Sequence, residues 1–349
     1  SESMRRLGSA RSVIRELFEY GKQYSSEHGP DSVFDFSIGN PSVLPPAIVN
    51  ETAIRELLEH PNTIHRYTSA QGDLVVRQHF ADSLNHRFHE SYTFNDFYLT
   101  AGAAAGLCCI FAGLACPGDE FIVFSPYFPE YKIFIENAHA HMVAVPANTE
   151  TFQLHLDALE SLITAHTKGV VVNSPNNPSG IVYTKSTLTQ LADILTKKSR
   201  IYGHPIYLIS DEPYREIIFS GVERSWLPQI YGNTIVCYSF SKTLSLPGER
   251  IGYILVPPYV DDAADVYAAI AGAGRSFGYV NAPSLFQQVV SQCCNFSVDL
   301  SVYEQNCRLL VSALREMGYQ IVKPDGAFYL FPRCFENDDL AFSERAKQY

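Results

Sequence analysis

Two stretches set the fold: Gly169-Val170-Val171-Val172-Asn173, running into Ser174-Pro175-Asn176-Asn177-Pro178-Ser179-Gly180, and Ile206-Tyr207-Leu208-Ile209-Ser210, running into Asp211-Glu212-Pro213-Tyr214. Each is a short apolar run with a β-branched or aromatic core that stops at polar turn residues. Such runs read as strands of a largely parallel sheet. Similar text recurs at Phe97–Thr100, Phe121–Ser125, His141–Val145, Thr234–Ser239 and Ile251–Val256, and helical patterns separate most of these runs. The alternation predicts an α/β domain, with a mostly parallel seven-stranded sheet flanked by helices. Ligands of such sheets bind outside the carboxyl ends of the strands, and the polar candidates fall at those ends.

Beyond Pro257-Pro258 the text turns mainly helical. Val302–Met317 reads as a helix stopped by Gly318, and strand-like Tyr319–Val322 and Phe328–Phe331 flank the turn Pro324-Asp325-Gly326. At the other end, Arg11–Gln23 reads as a helix with Val13, Ile14, Leu17 and Phe18 on one face. The expected division is a large domain over 45–260 and a smaller α+β domain from 1–44 and 261–349. The length of 349 residues suits two such domains. Hydrophobic residues at 46% and charged residues at 18% mark a globular chain. The net charge of −11, from 26 basic and 37 acidic residues, argues against a nucleic-acid surface. The eight cysteines lack metal-ligand spacing and are expected to be buried, reduced thiols, with no metal site. No apolar run reaches membrane-spanning length and the N-terminus lacks a secretory apolar region, so a cytoplasmic protein without a membrane partner is expected.

The chemistry centres on Ser239-Phe240-Ser241-Lys242 and the following Leu246-Pro247-Gly248-Glu249-Arg250-Ile251-Gly252-Tyr253. A lysine just past a buried strand can bond an aldehyde if the site holds its amine partly deprotonated. Two hydroxyls and an arginine nearby suit a phosphate. Taken alone, such a lysine is more often a surface residue. The spacing Ser-x-Ser-Lys…Gly-x-Arg-x-Gly, however, resembles the lysine signature of class I/II pyridoxal-phosphate (PLP) aminotransferases, the fold type I, aspartate aminotransferase-like family. That resemblance implies Lys242 as the Schiff-base lysine, with Ser239, Ser241 and Arg250 on the cofactor phosphate.

Further motifs stand in family order. By the resemblance, Asp211 pairs with the pyridine nitrogen of PLP, while Tyr214 and Asn177 hydrogen-bond its phenolate oxygen. Gly102, Ala103 and Ala104, in Thr100-Ala101-Gly102-Ala103-Ala104-Ala105-Gly106, cradle the phosphate at a helix N-terminus. Phe128, in Ser125-Pro126-Tyr127-Phe128-Pro129-Glu130-Tyr131, stacks on the ring, with Tyr127 as the alternate. Gly39, in Ser37-Ile38-Gly39-Asn40-Pro41, faces the substrate α-carboxylate, as does Asn177 on the substrate side. Tyr67, in Arg66-Tyr67-Thr68-Ser69-Ala70-Gln71-Gly72, reaches a partner subunit's phosphate and implies a homodimer with shared active sites.

The resemblance covers Phe36 to the C-terminus. The family's later Gly-x-x-Arg, whose arginine forks the substrate carboxylate, has no counterpart here: Arg333 and Arg345 stand too early in the pattern. Either a C-terminal part is missing or the chain is genuinely truncated and binds substrate poorly; the first is expected, because a sheet cut partway would expose an apolar edge. The expected activity is ping-pong transfer of an amino group between an L-amino acid and a 2-oxo acid. The alternative is a PLP-dependent C–S β-lyase of the same fold. A regulatory module would need a DNA-binding domain for which the short N-terminal region leaves no room. Arg275 is a candidate pocket residue, and the donor amino acid stays open between aspartate-type and aromatic.

Overall fold

The computed structural model describes residues 2–9 and 13–346. It comprises two compact units, Ser1–Ser42 and Val43–Tyr349. The first carries the helices Glu2–Ser9 and Val13–His28. Of the helix expected over Arg11–Gln23, Arg11, Ser12 and the side chains of Val13 and Ile14 lie outside the described residues.

The second unit is built on a seven-stranded sheet: β1 (Phe97–Thr100), β2 (Glu120–Phe124), β3 (His141–Val145), β4 (Thr167–Asn173), β5 (Tyr207–Asp211), β6 (Thr234–Ser239) and β7 (Gly252–Leu255). The order is β1-β7-β6-β5-β4-β2-β3. All pairs are parallel except the two made by β7, which runs antiparallel to β1 and to β6. The pattern of period two is legible in the core. Val171, Ile209, Ile235, Cys237 and Ile254 share one buried cluster. Their chain neighbours Val170, Val172 and Leu208 lie in a second, and Val236, Tyr238, Tyr253 and Leu255 in a third. Successive side chains therefore leave by opposite faces, and both faces are covered.

On the first face the helix Gly102–Leu114 packs against the helix Ala263–Ser276. The approach is close enough that a Cβ on Gly113 would stand 2.9 Å from the backbone nitrogen of Ile270.

The strand-like text after Gly318 does not form strands. Tyr319–Val322 and Phe328–Phe331 contribute only isolated bridges nearby, Gln320 with Arg333 and Ile218 with Gly326. The backbone there is spent on loops instead: Asp325 and Gly326 N–H both donate to Gly180 O, and Ala327 N–H donates to Ile217 O. The helix expected over Val302–Met317 is present as Leu300–Glu316.

Candidate active site

Register gathers the site. Asn173, the last residue of β4, pairs with Asp211, the last of β5, and Asp211 pairs with Cys237 of β6. One step along, Ser239 pairs with Gly252, which pairs in turn with Thr100. The carboxyl ends of four parallel strands thus stand in one row, broken by Gly252 at the start of β7. A Cβ on Gly252 would fall 2.2 Å from Tyr238 O and 3.3 Å from the Cα atoms of both Gly102 and Ser239. The glycine therefore lets two candidate phosphate-binding segments meet across a bare backbone.

On the Gly102 side, Gly102 has φ +81° and opens the helix Gly102–Leu114, with Ala103 and Ala104 in its first turn. Helix N-termini present free N–H groups and a positive dipole end, which attract anions. A Cβ on Gly102 would lie 2.9 Å from a guanidinium nitrogen of Arg250, so glycine leaves room for that cation. Arg250 has φ +51° and donates from its guanidinium to Pro247 O at 2.9 Å. On the β6 side, Ser239 Oγ accepts from Ser241 N at 3.1 Å and lies 2.6 Å from Ser241 Oγ. Both hydroxyls are buried. Lys242 follows in the short helix Phe240–Thr243, with Nζ 5.5 Å from the centre of the Phe328 ring. Burial first, and the Arg250 charge second, bring its amine down to about 8. An appreciable share is therefore the neutral nucleophile near pH 7.

Asp211 is buried, and one carboxylate oxygen accepts from Tyr131 O–H at 2.5 Å. The other, Oδ1, is shielded and has no hydrogen-bond partner. Burial lifts the carboxyl to about 7, against the Tyr131 bond and helped by the Glu212 charge. A buried acceptor of this kind fits a cationic N–H, such as a protonated pyridine nitrogen. Asn173 Nδ2 donates to Asp211 O at 2.9 Å, and its Oδ1 accepts from Asn177 N at 2.7 Å, which ties the Asn177 loop to β5. Tyr214 is buried with its hydroxyl 2.5 Å from that of Tyr329. Burial holds Tyr214 well above its ordinary range, Tyr329 reinforces this, and the Asn177 side chain, hydrogen-bonded to it, works the other way. Phe128 meets Tyr131 edge-on at 5.7 Å. An anion cradle, an unmatched buried carboxylate oxygen and a lysine poised near neutrality together suit a phosphorylated pyridine aldehyde.

The structure thus brings together Gly102, Ser239, Ser241 and Arg250 around Gly252, and Asp211, Asn177 and Tyr214 around Asn173. Tyr67 is fully exposed. Gly39 belongs to the first unit. Arg275 is exposed at the end of the helix Ala263–Ser276; Arg333 bonds Gln320, and Arg345 pairs with Glu336. Sequence reading missed Tyr131, Asn173, Phe328 and Tyr329 as members of the site. The only advance signal was their place inside strings already quoted. Among the described residues, no helix is long and apolar enough to cross a membrane, no group of three or more His, Cys, Asp or Glu gathers as a metal site, and all eight cysteines are unpaired. The burial expected of the cysteines holds for Cys109, Cys237, Cys293 and Cys307, but Cys116 is exposed, in the turn after the helix Gly102–Leu114.

Residues 31–348 match the family described as aminotransferase class I and II. The chain is 29% identical over 319 residues to the aspartate aminotransferase of Thermotoga maritima, covering 90% of this chain and 80% of that relative. It is 29% identical over 330 residues to aromatic-amino-acid aminotransferase 2 of Thermococcus litoralis, covering 92% and 80%. The crystal structure of an amino transferase from Eubacterium rectale superposes with a TM-score of 0.96 at 52% identity, over 100% of this chain and 88% of that one.

Proposed function

This chain belongs to the class I and II aminotransferases, a pyridoxal-phosphate-dependent family, and from that premise we propose how its residues share the reaction. It is an enzyme that transfers amino groups, and the lyase alternative is not favoured, since the relatives it matches are named aminotransferases.

When bound, PLP supplies an electron sink for the negative charge that develops at the substrate Cα. Lys242 would hold the cofactor through its amine. With PLP bound, its Nζ would serve as the general base that takes up the substrate Cα proton and the general acid that returns it to the substrate–cofactor adduct. Asp211 Oδ1 accepts from the protonated ring nitrogen and keeps it charged. Tyr214 and Asn177 donate to the phenolate oxygen. The N–H groups of Gly102, Ala103 and Ala104, the hydroxyls of Ser239 and Ser241 and the Arg250 guanidinium hold the phosphate dianion. Phe128 stacks on the ring. Asn177 meets the substrate carboxylate, and Tyr67 serves the partner subunit's phosphate in a cytoplasmic homodimer. Residues 45–260 form the cofactor domain. The observation that carries this reading is the row Asn173–Asp211–Cys237, set one step from Ser239–Gly252–Thr100, with the Lys242 amine lowered to about 8 beside it.

One site serves both half-reactions, so the kinetics are ping-pong. The visible band of the loaded protein should bleach with some amino donors and return with a 2-oxo acid. A panel that includes aspartate and the aromatic amino acids identifies the donor. Lys242→Ala should lose turnover by more than about 10⁴-fold while still binding PLP. Normal turnover by that variant would overturn the assignment.

A further inference from the structure

Tyr329 sits on a segment bonded to both elements that carry the phenolate-binding groups. Asp325 and Gly326 N–H donate to Gly180 O at 2.9 and 3.0 Å, and Gly180 N–H closes the Asn177 loop onto Asn176 O. Ala327 N–H donates to Ile217 O, and Ile217 N–H to Tyr214 O, both at 2.8 Å. The seat has no slack. A Cβ on Gly180 would stand 2.7 Å from Pro324 Cβ, and one on Gly326 2.3 Å from Ile217 O. The Tyr329 ring meets Tyr214 edge-on at 5.4 Å, Phe328 meets Tyr214 edge-on at 5.8 Å, and the two tyrosine hydroxyls are 2.5 Å apart.

We propose that Tyr329 is a positioning residue that directs the single proton of Tyr214 toward the cofactor. This rests on the reading of Tyr214 as a donor to the phenolate oxygen. A phenol has one proton to donate. An ionised oxygen is a stronger acceptor than a neutral hydroxyl. With the phenolate in place, Tyr214 therefore donates to it, and the hydrogen bond between the two tyrosines runs the other way, from Tyr329 O–H to the Tyr214 oxygen. Donation into Tyr214 polarises its own O–H and strengthens the bond it makes onward. Tyr329 thereby stabilises charge on an oxygen that it does not touch.

The test uses the PLP-loaded protein without substrate and follows its visible spectrum against pH. The midpoint of that transition reports the proton on the nitrogen shared by Lys242 and the cofactor, and stronger donation to the phenolate lowers it. Tyr214→Phe should raise the midpoint, and Tyr329→Phe should raise it by a smaller amount, about half a pH unit. In the Tyr214→Phe background, Tyr329→Phe should add nothing, because its effect passes through the lost hydroxyl. A rise from Tyr214→Phe with no change from Tyr329→Phe overturns the proposal and leaves the reading of Tyr214 standing. A fall from Tyr329→Phe overturns it too, since Tyr329 would then be competing for the proton. No change from Tyr214→Phe overturns both. Equal shifts from Tyr329→Phe with and without Tyr214 would mark a merely structural effect and also overturn it.

Discussion

Asp211 and Glu212 are adjacent carboxylic acids, both buried, and they are treated in opposite ways. Glu212 receives the Arg215 guanidinium at 2.9 Å and the Ser210 hydroxyl at 2.5 Å. Arg215 in turn donates to Glu216 at 3.2 Å and to Tyr253 O–H at 2.7 Å, and its guanidinium lies 4.0 Å from the centre of the Tyr238 ring. Glu216 is gripped by both prongs of Arg87, at 2.6 and 2.7 Å, and by Arg224 at 3.2 Å. This network staples the turn after β5 to β6 and β7. Asp211, by contrast, keeps one oxygen without a partner. Where both oxygens are matched, a buried charge serves rigidity; where one is left unmatched among candidate cofactor-binding groups, it marks chemistry. The stapled side holds still the turn that presents Asp211 and Tyr214.

Cutting the staple should have the largest effect. Arg215→Ala leaves Glu212 in the interior without its cation and should cost about 3–5 kcal/mol of stability, read as a lowered denaturant midpoint. If stability falls by less than a third of that, the network is not the support described. Asp211→Asn should do the reverse. Turnover should drop on the order of 10²–10³-fold, while the melting temperature of the PLP-free protein holds or rises. A large loss of stability in that variant would place Asp211 with Glu212, among the structural acids.

A third effect is one of pH. In the PLP-free protein the Asp211 carboxyl is pushed up to about 7, against roughly 3.9 in an unfolded chain. Between those values the unfolded chain has released a proton that the folded chain still holds. Stability therefore falls as pH rises from about 4 to about 7 and loses nothing further from this group above that. Melting curves of the native and Asp211→Asn proteins should diverge across this window, with the variant gaining as pH rises; parallel curves would refute the shift.

Much of this was legible in sequence, for definite reasons. Phe97–Thr100, His141–Val145 and Thr234–Ser239 match their strands end to end; the first and last are buried throughout, and such apolar runs have few other readings. The Asn177 and Asp211 loops were legible because turn residues stop those runs abruptly. The reversed direction of β7 was not, since an apolar strand carries no sign of its orientation. Tyr319–Val322 and Phe328–Phe331 misled because their aromatics serve packing around Tyr214 and Phe335 and not a sheet. Tyr131 and Tyr329 were missed as partners because they meet Asp211 and Tyr214 across 80 and 115 residues of chain, a distance that no local period reports.

The close crossing at Gly113 makes the helix Gly102–Leu114 a lever. Its fulcrum is the backbone of Ala269 and Ile270, and its working end, about 16 Å away by helical rise, is the anion cradle at Gly102. A tilt of about 4° at the fulcrum carries the cradle through about 1 Å, the scale at which misplacement costs about 10²-fold in rate. A methyl group added at Gly113, half-buried between two helices and remote from any reacting atom, would announce itself as poor phosphate affinity. Heritable variation in this enzyme should therefore be constrained at that inconspicuous crossing as well, though less than at the lysine itself.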